Sequence, residues 1–111
     1  MKRYCLALDL IDDPVRIAEY EKIHKNIWPE VKAHILACGI ELMELYRAGD
    51  RLFMIMETVD DFSFEKMAAK EASDPKLQEW EKFMWTFQKP LPLSKPGEKW
   101  VLMNRIFSSS L

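Results

Sequence analysis

The sequence predicts one α+β domain: an antiparallel sheet with helices on one face, its elements in the order strand, helix, hairpin, helix, strand. Three observations predict it. A period-two apolar alternation opens the chain, an amphipathic helical run interrupted by Pro29 follows, and Ala48-Gly49-Asp50 sits between two strand-like segments. A length of 111 residues fits a single domain spanning 1–111.

From Arg3 to Leu10, Tyr4, Leu6, Leu8 and Leu10 alternate with Cys5, Ala7 and Asp9, which marks a strand packed on both faces. Asp12-Asp13-Pro14 supplies a capping carboxylate and a proline for the first helical turn. Ile17, Tyr20, Ile23, His24 and Ile27 then recur at helical spacing. Pro29 lacks an N–H and pushes Trp28 out of the helical region, so a break is expected around Asn26–Trp28. A second run from Pro29 to Ala37 ends at Gly39, a fitting C-cap. Strands are expected at Glu41–Tyr46 and Arg51–Glu57, and a helix at Phe62–Ala72. Ser73-Asp74-Pro75 restarts a helix through Trp80, Phe83, Met84 and Phe87. Pro90, Pro92 and Pro96 make Lys89–Lys99 a loop, and Trp100–Phe107 closes the chain as a strand before a serine tail. This βαββαβ order is that of a ferredoxin-like sheet, in the dimeric α/β barrel arrangement.

Composition narrows the partners. Hydrophobic residues make up 49% of the chain, enough for a packed core, yet a domain this small buries a modest share of its surface. Pairing two copies over the open sheet face would relieve that shortage, so a homodimer is expected. The net charge is −2, and Lys82, Lys89, Lys95 and Lys99 are interrupted by Glu79, Glu81 and Glu98. No basic stripe forms, so nucleic acid is not an expected partner. No apolar window reaches the ~20 residues of a membrane helix, and no secretory signal opens the chain. Cys5 and Cys38 form no C-x-x-C pair and read as buried thiols in a reducing compartment, which points to a cytoplasmic protein.

The residues that could carry chemistry gather at Tyr20, His24, Asn26, Trp28 and Pro29. Tyr20 and His24, four apart, share a helix face. His24 falls near a helix end, where the dipole favours imidazolium, and histidine exchanges protons near neutral pH. The competing reading is a histidine satisfied by a backbone carbonyl. His34 reads as a surface residue among Glu30, Lys32 and Ala33, and two histidines at this spacing do not suggest a metal. Trp80, flanked by Glu79 and Glu81, could offer a ring to a sugar's C–H face with a carboxylate for its hydroxyls. Trp80 could equally be core, and core is the favoured reading of Phe83 and Phe87. The methionines read as packing.

Tyr20-x-x-x-His24-x-Asn26-Ile27-Trp28-Pro29-Glu30, with Trp80-Glu81-Lys82-Phe83-Met84, resembles the L-rhamnose mutarotase family over nearly the whole chain. The resemblance implies a dimeric ferredoxin-like enzyme that interconverts the α and β anomers of a 6-deoxy-L-hexose without a cofactor. It implies that His24 is the proton donor and that Tyr20 and Trp80 contact the sugar. Two positions depart. Met43 stands where the family has a second sugar-contacting tyrosine, and Glu81 where it has a second tryptophan. The exchange of a hydroxyl and a ring for a thioether and a carboxylate changes which sugar hydroxyls are satisfied, so L-fucose joins L-rhamnose as a candidate. The base that complements His24 is left open among Tyr20, Glu81 and water. Two other functions fit the same scaffold: a cofactor-free monooxygenase and a non-catalytic sugar-binding module.

Overall fold

The computed structural model describes residues 1–110. Its elements are β1 (Lys2–Leu10), α1 (Pro14–Ile23), α2 (Pro29–Ala37), β2 (Ile40–Ala48), β3 (Arg51–Thr58), α3 (Phe64–Ser73), α4 (Pro75–Trp85), β4 (Gln88–Lys89) and β5 (Val101–Leu102). The strands form one antiparallel sheet in the order β2-β3-β1-β4, with β5 also on β1. The expected βαββαβ order is present. The second edge of β1 is shared by two short strands, β4 against Asp9 and Leu10 and β5 against Leu6 and Ala7.

Local chemistry sets the boundaries. Asp13 accepts from the Val15 N–H and caps α1, with Pro14 in its first turn. Asp74 accepts from Lys76 and Leu77 and separates α4 from α3. Gly39 carries φ +83° at the end of α2, and a Cβ there would stand 2.5 Å from Val59 Cγ2, so both backbone and neighbour require glycine.

Register places Leu6, Met54 and Leu45 on one face, with Tyr4, Met56 and Met43 beside them. This face packs under the helices. Leu8, Leu10, Leu52 and Met56 are among its most buried members. Cys5, Ala7, Phe53, Ile55 and Tyr46 occupy the opposite face, which no helix among the described residues covers.

Five expectations need correction. The closing strand is two residues long, not Trp100–Phe107. After Met103 donates to the Cys5 carbonyl the chain leaves the sheet, and Ile106 and Phe107 are fully or largely exposed. The Lys89–Lys99 loop begins as β4, because Gln88 and Lys89 pair with β1 despite the prolines that follow. The third helix starts at Phe64 with Ser63 as its cap, which leaves Phe62 in the core before it. The fourth ends at Trp85, so Phe87 is buried from the following turn. Cys5 and Cys38, expected as buried thiols, are free and only half-buried.

Candidate active site

Between the helices and the methionine-rich sheet face lies a cavity of about 710 Å³, within the range of about 300–1,000 Å³ usual for small-molecule sites. Its floor is apolar, with Leu6, Met43, Leu45, Met54 and Met56 rising from the sheet. Polar groups enter from the helices and from the C-terminal loop: Tyr20, His24, His34, Glu71, Glu81, Gln88 and Lys99.

His24 owes its position to the break before Pro29. α1 stops at Ile23, and His24 is its C-cap, with its N–H on the Tyr20 carbonyl. The same carbonyl lies 2.8 Å from His24 Nδ1. A carbonyl can only accept, so Nδ1 carries the proton and the neutral ring leaves Nε2 as a lone pair. Nε2 has no hydrogen-bond partner among the described residues. The reading of a carbonyl-satisfied histidine thus accounts for one ring nitrogen and leaves the other unpaired. The expected preference for imidazolium is reversed. Burial holds the His24 pKa below its ordinary value, because desolvation of the cation outweighs the hydrogen bond to the Tyr20 carbonyl.

Tyr20 is 3% exposed, and its ring centroid is 4.2 Å from that of His24. Burial pushes its phenol up to about 12, with the Glu81 carboxylate adding to the rise and a hydrogen bond from Gln88 opposing it. Tyr20 therefore keeps its proton at neutral pH. Trp80 stands on the other side of His24, edge-on at 5.9 Å. Glu81 is held by Lys99, whose Nζ lies 2.8 Å from Oε1. Burial lowers the Lys99 pKa against the pull of Glu81 and Glu71. The loop that ends at Lys99 and Trp100 therefore returns to the cavity of its own chain.

Of the residues singled out in the sequence, Tyr20, His24, Met43, Trp80 and Glu81 meet at this cavity. Asn26 is exposed and does not line it. Trp28 sits behind the wall, stacked on Phe83 at 5.9 Å and edge-on to Trp80 at 5.1 Å, so it braces Trp80. His34 is not a surface residue. It is 5% exposed, bonds Glu71 through Nε2 at 3.1 Å and lies 3.6 Å from Cys38 Sγ. One turn of helix was enough to roll it inward beside Val31. Gln88 and Lys99 gave no signal in sequence, since both flank a proline-rich loop and reach the cavity only through the fold.

An antiparallel ferredoxin-like sheet roofed by helices, with a histidine beside a tyrosine and a tryptophan in a cavity of small-molecule size, defines a class of small α+β protein with a ligand-sized site. The family follows from comparison. A family model for L-rhamnose mutarotase matches residues 3–109. The chain is 48% identical over 112 residues to an L-fucose mutarotase of Xanthomonas campestris pv. campestris, covering 99% of this chain and 90% of that protein. It is 31% identical over 80 residues to an L-rhamnose mutarotase of Listeria monocytogenes serovar 1/2a, covering 70% of this chain and 73% of that one. The crystal structure of an L-rhamnose mutarotase from Formosa agariphila shares the fold, with a TM-score of 0.72 at 16% identity over 97% of this chain and 98% of that one. The chain belongs to the L-rhamnose mutarotase family and is a carbohydrate isomerase.

Proposed function

We propose that this protein interconverts the α and β pyranose anomers of a 6-deoxy-L-hexose, with L-fucose as the preferred sugar and His24 as the acid–base residue. The observation that carries the reading is the neutral His24, its Nδ1 proton held by the Tyr20 carbonyl and its Nε2 lone pair open beside Trp80.

In ring opening, Nε2 takes the proton of the anomeric hydroxyl while the Tyr20 hydroxyl gives one to the ring oxygen, and the C1–O5 bond breaks to leave the aldehyde. Rotation about C1–C2 presents the other carbonyl face. On closure the C5 hydroxyl returns its proton to Tyr20, and the imidazolium protonates the new anomeric oxygen. His24 is thus base in one half of the cycle and acid in the other, and no proton is gained or lost. Trp80 packs on the C–H face of the ring, and the Glu81–Lys99 pair offers both an acceptor and a donor to its hydroxyls. The apolar floor at Met43, Met54 and Met56 suits the C6 methyl of a 6-deoxy sugar. The higher identity to the L-fucose mutarotase than to the L-rhamnose enzyme, with Met43 and Glu81 at the two departing positions, favours L-fucose. NMR saturation transfer between anomeric protons is expected to show faster exchange with protein present, more for L-fucose than for L-rhamnose. No acceleration with either sugar would overturn the proposal.

We also infer a homodimer, formed over the sheet face that carries Cys5, Ala7, Phe53 and Ile55. Tyr46 on that face is 53% exposed, and Ile106 and Phe107 beyond the last strand are 96% and 78% exposed, an apolar surface that a second copy would cover. Light scattering is expected to give twice the chain mass, and Ile55→Asp to give the single-chain mass. Among the described residues no helix is long and apolar enough to cross a membrane. A cytoplasmic setting is in keeping with the two free thiols.

A further inference from the structure

Three buried side-chain polar atoms have no hydrogen-bond partner among the described residues: Arg16 Nε, Gln88 Oε1 and Ser94 Oγ. Of these three residues, Gln88 alone belongs to the wall of the cavity. It is 4% exposed, and its Nε2 donates to the Tyr20 hydroxyl at 3.0 Å. Buried polar atoms are almost always paired, so an unpaired one in a residue of the cavity wall lacks a partner it would ordinarily have. The Tyr20 hydroxyl engages only one end of the carboxamide, so Gln88 keeps one unpaired polar end whichever way the amide is turned.

Gln88 lies on β4, opposite Leu10, and Phe87 beside it is 2% exposed and packs its ring against Tyr20 at 5.8 Å. Strand pairing anchors the Gln88 backbone and the Tyr20 hydroxyl anchors one end of its carboxamide, which limits the freedom its other end loses on binding. A pyranose seated against Tyr20 and His24 carries ring hydroxyls that both donate and accept.

Resting on the mutarotase reading above, we propose that Gln88 is a substrate-binding residue. Its free amide end takes a hydrogen bond from one ring hydroxyl at C2, C3 or C4, while its other end holds the Tyr20 hydroxyl so that the phenolic proton points at the sugar. This assigns Gln88 two tasks: recognition of a ring hydroxyl and orientation of the proton that Tyr20 delivers. A hydroxyl met by a buried fixed partner is discriminated far more sharply than one left in water.

Saturation-transfer kinetics on wild type and Gln88→Met, with L-fucose and its 2-, 3- and 4-monodeoxy analogues, test the assignment. Gln88→Met, which keeps the chain length and packing, is expected to lower kcat/KM for L-fucose about tenfold. That penalty should shrink for one analogue, the one that lacks the partner hydroxyl, to the part due to the lost hold on Tyr20, and persist in full for the other two. An equal penalty with all four sugars would show that Gln88 meets no ring hydroxyl, and no penalty would show that it does not act at all. Either result overturns the proposal. The wild-type protein offers a check that needs no variant: the ¹⁵N side-chain amide signals of Gln88 should shift on titration with L-fucose, and unmoved signals at saturation would overturn it too. Absence of exchange in the wild type would instead count against the mutarotase reading itself.

Discussion

Replacing His24 by alanine is expected to slow anomer exchange by about 10²–10⁴-fold, the usual worth of a positioned acid–base group. The variant should stay folded, because His24 is only half-buried and caps α1 through its backbone N–H, which alanine retains. A pH profile sharpens the result. The reaction as proposed starts from neutral imidazole, and burial holds the His24 pKa below 6.5. Wild-type exchange should therefore persist below pH 6.5 and fall only as the depressed pKa is crossed, while His24→Ala should lack that acid limb. Stability carries the same signature. Below about pH 6.5 the unfolded chain protonates this histidine before the folded chain does, so the unfolded state binds more protons and stability declines with falling pH. The decline levels off once the folded-state pKa is passed, and His24→Ala should remove this part of the slope. A variant that exchanges L-fucose at the wild-type rate would strip His24 of its role.

The largest expected effect on stability lies in the sheet. Leu8 has no exposed surface and pairs across β1 and β3 with Leu52, which is 2% exposed. Leu8→Ala removes three buried carbons and leaves a cavity that close-packed neighbours cannot fill, at a cost of about 2–5 kcal/mol. Against a total of about 5–15 kcal/mol for a domain of ordinary stability, that is a large fraction. Urea unfolding followed by circular dichroism should show the midpoint falling with an unchanged m-value. Leu8 does not line the cavity, so the folded fraction should retain its exchange rate. A cost under about 1 kcal/mol would mean that the core relaxes around the missing side chain far more than buried strand positions ordinarily allow.

What was legible in the sequence was what neighbours in the chain decide. Alternation over Tyr4–Leu10 gave β1, Asp13-Pro14 and Asp74-Pro75 placed two helix starts, and Ala48-Gly49-Asp50 placed the hairpin. Tyr20 and His24 could be paired because four residues make one helical turn, and Pro29 foretold the break that frees His24. The length of the last strand, the inward roll of His34 and the presence of β4 were not legible. A two-residue strand has no periodicity to read, and its pairing with β1 depends on residues nearly eighty positions away.

The feature that sequence alone determined is the Tyr20–His24 pair at the broken end of α1, together with the helical and strand periods that build the sheet beneath it. The protonation state of that histidine was decided by tertiary structure, because the dipole of one helix end is a local effect whereas desolvation depends on everything packed around the ring. The remainder of the cavity was decided in the same way. Glu81 meets Lys99 and Tyr20 meets Gln88 across separations of 18 and 68 residues, and only the closing of the sheet under its helices brings them within hydrogen-bond reach.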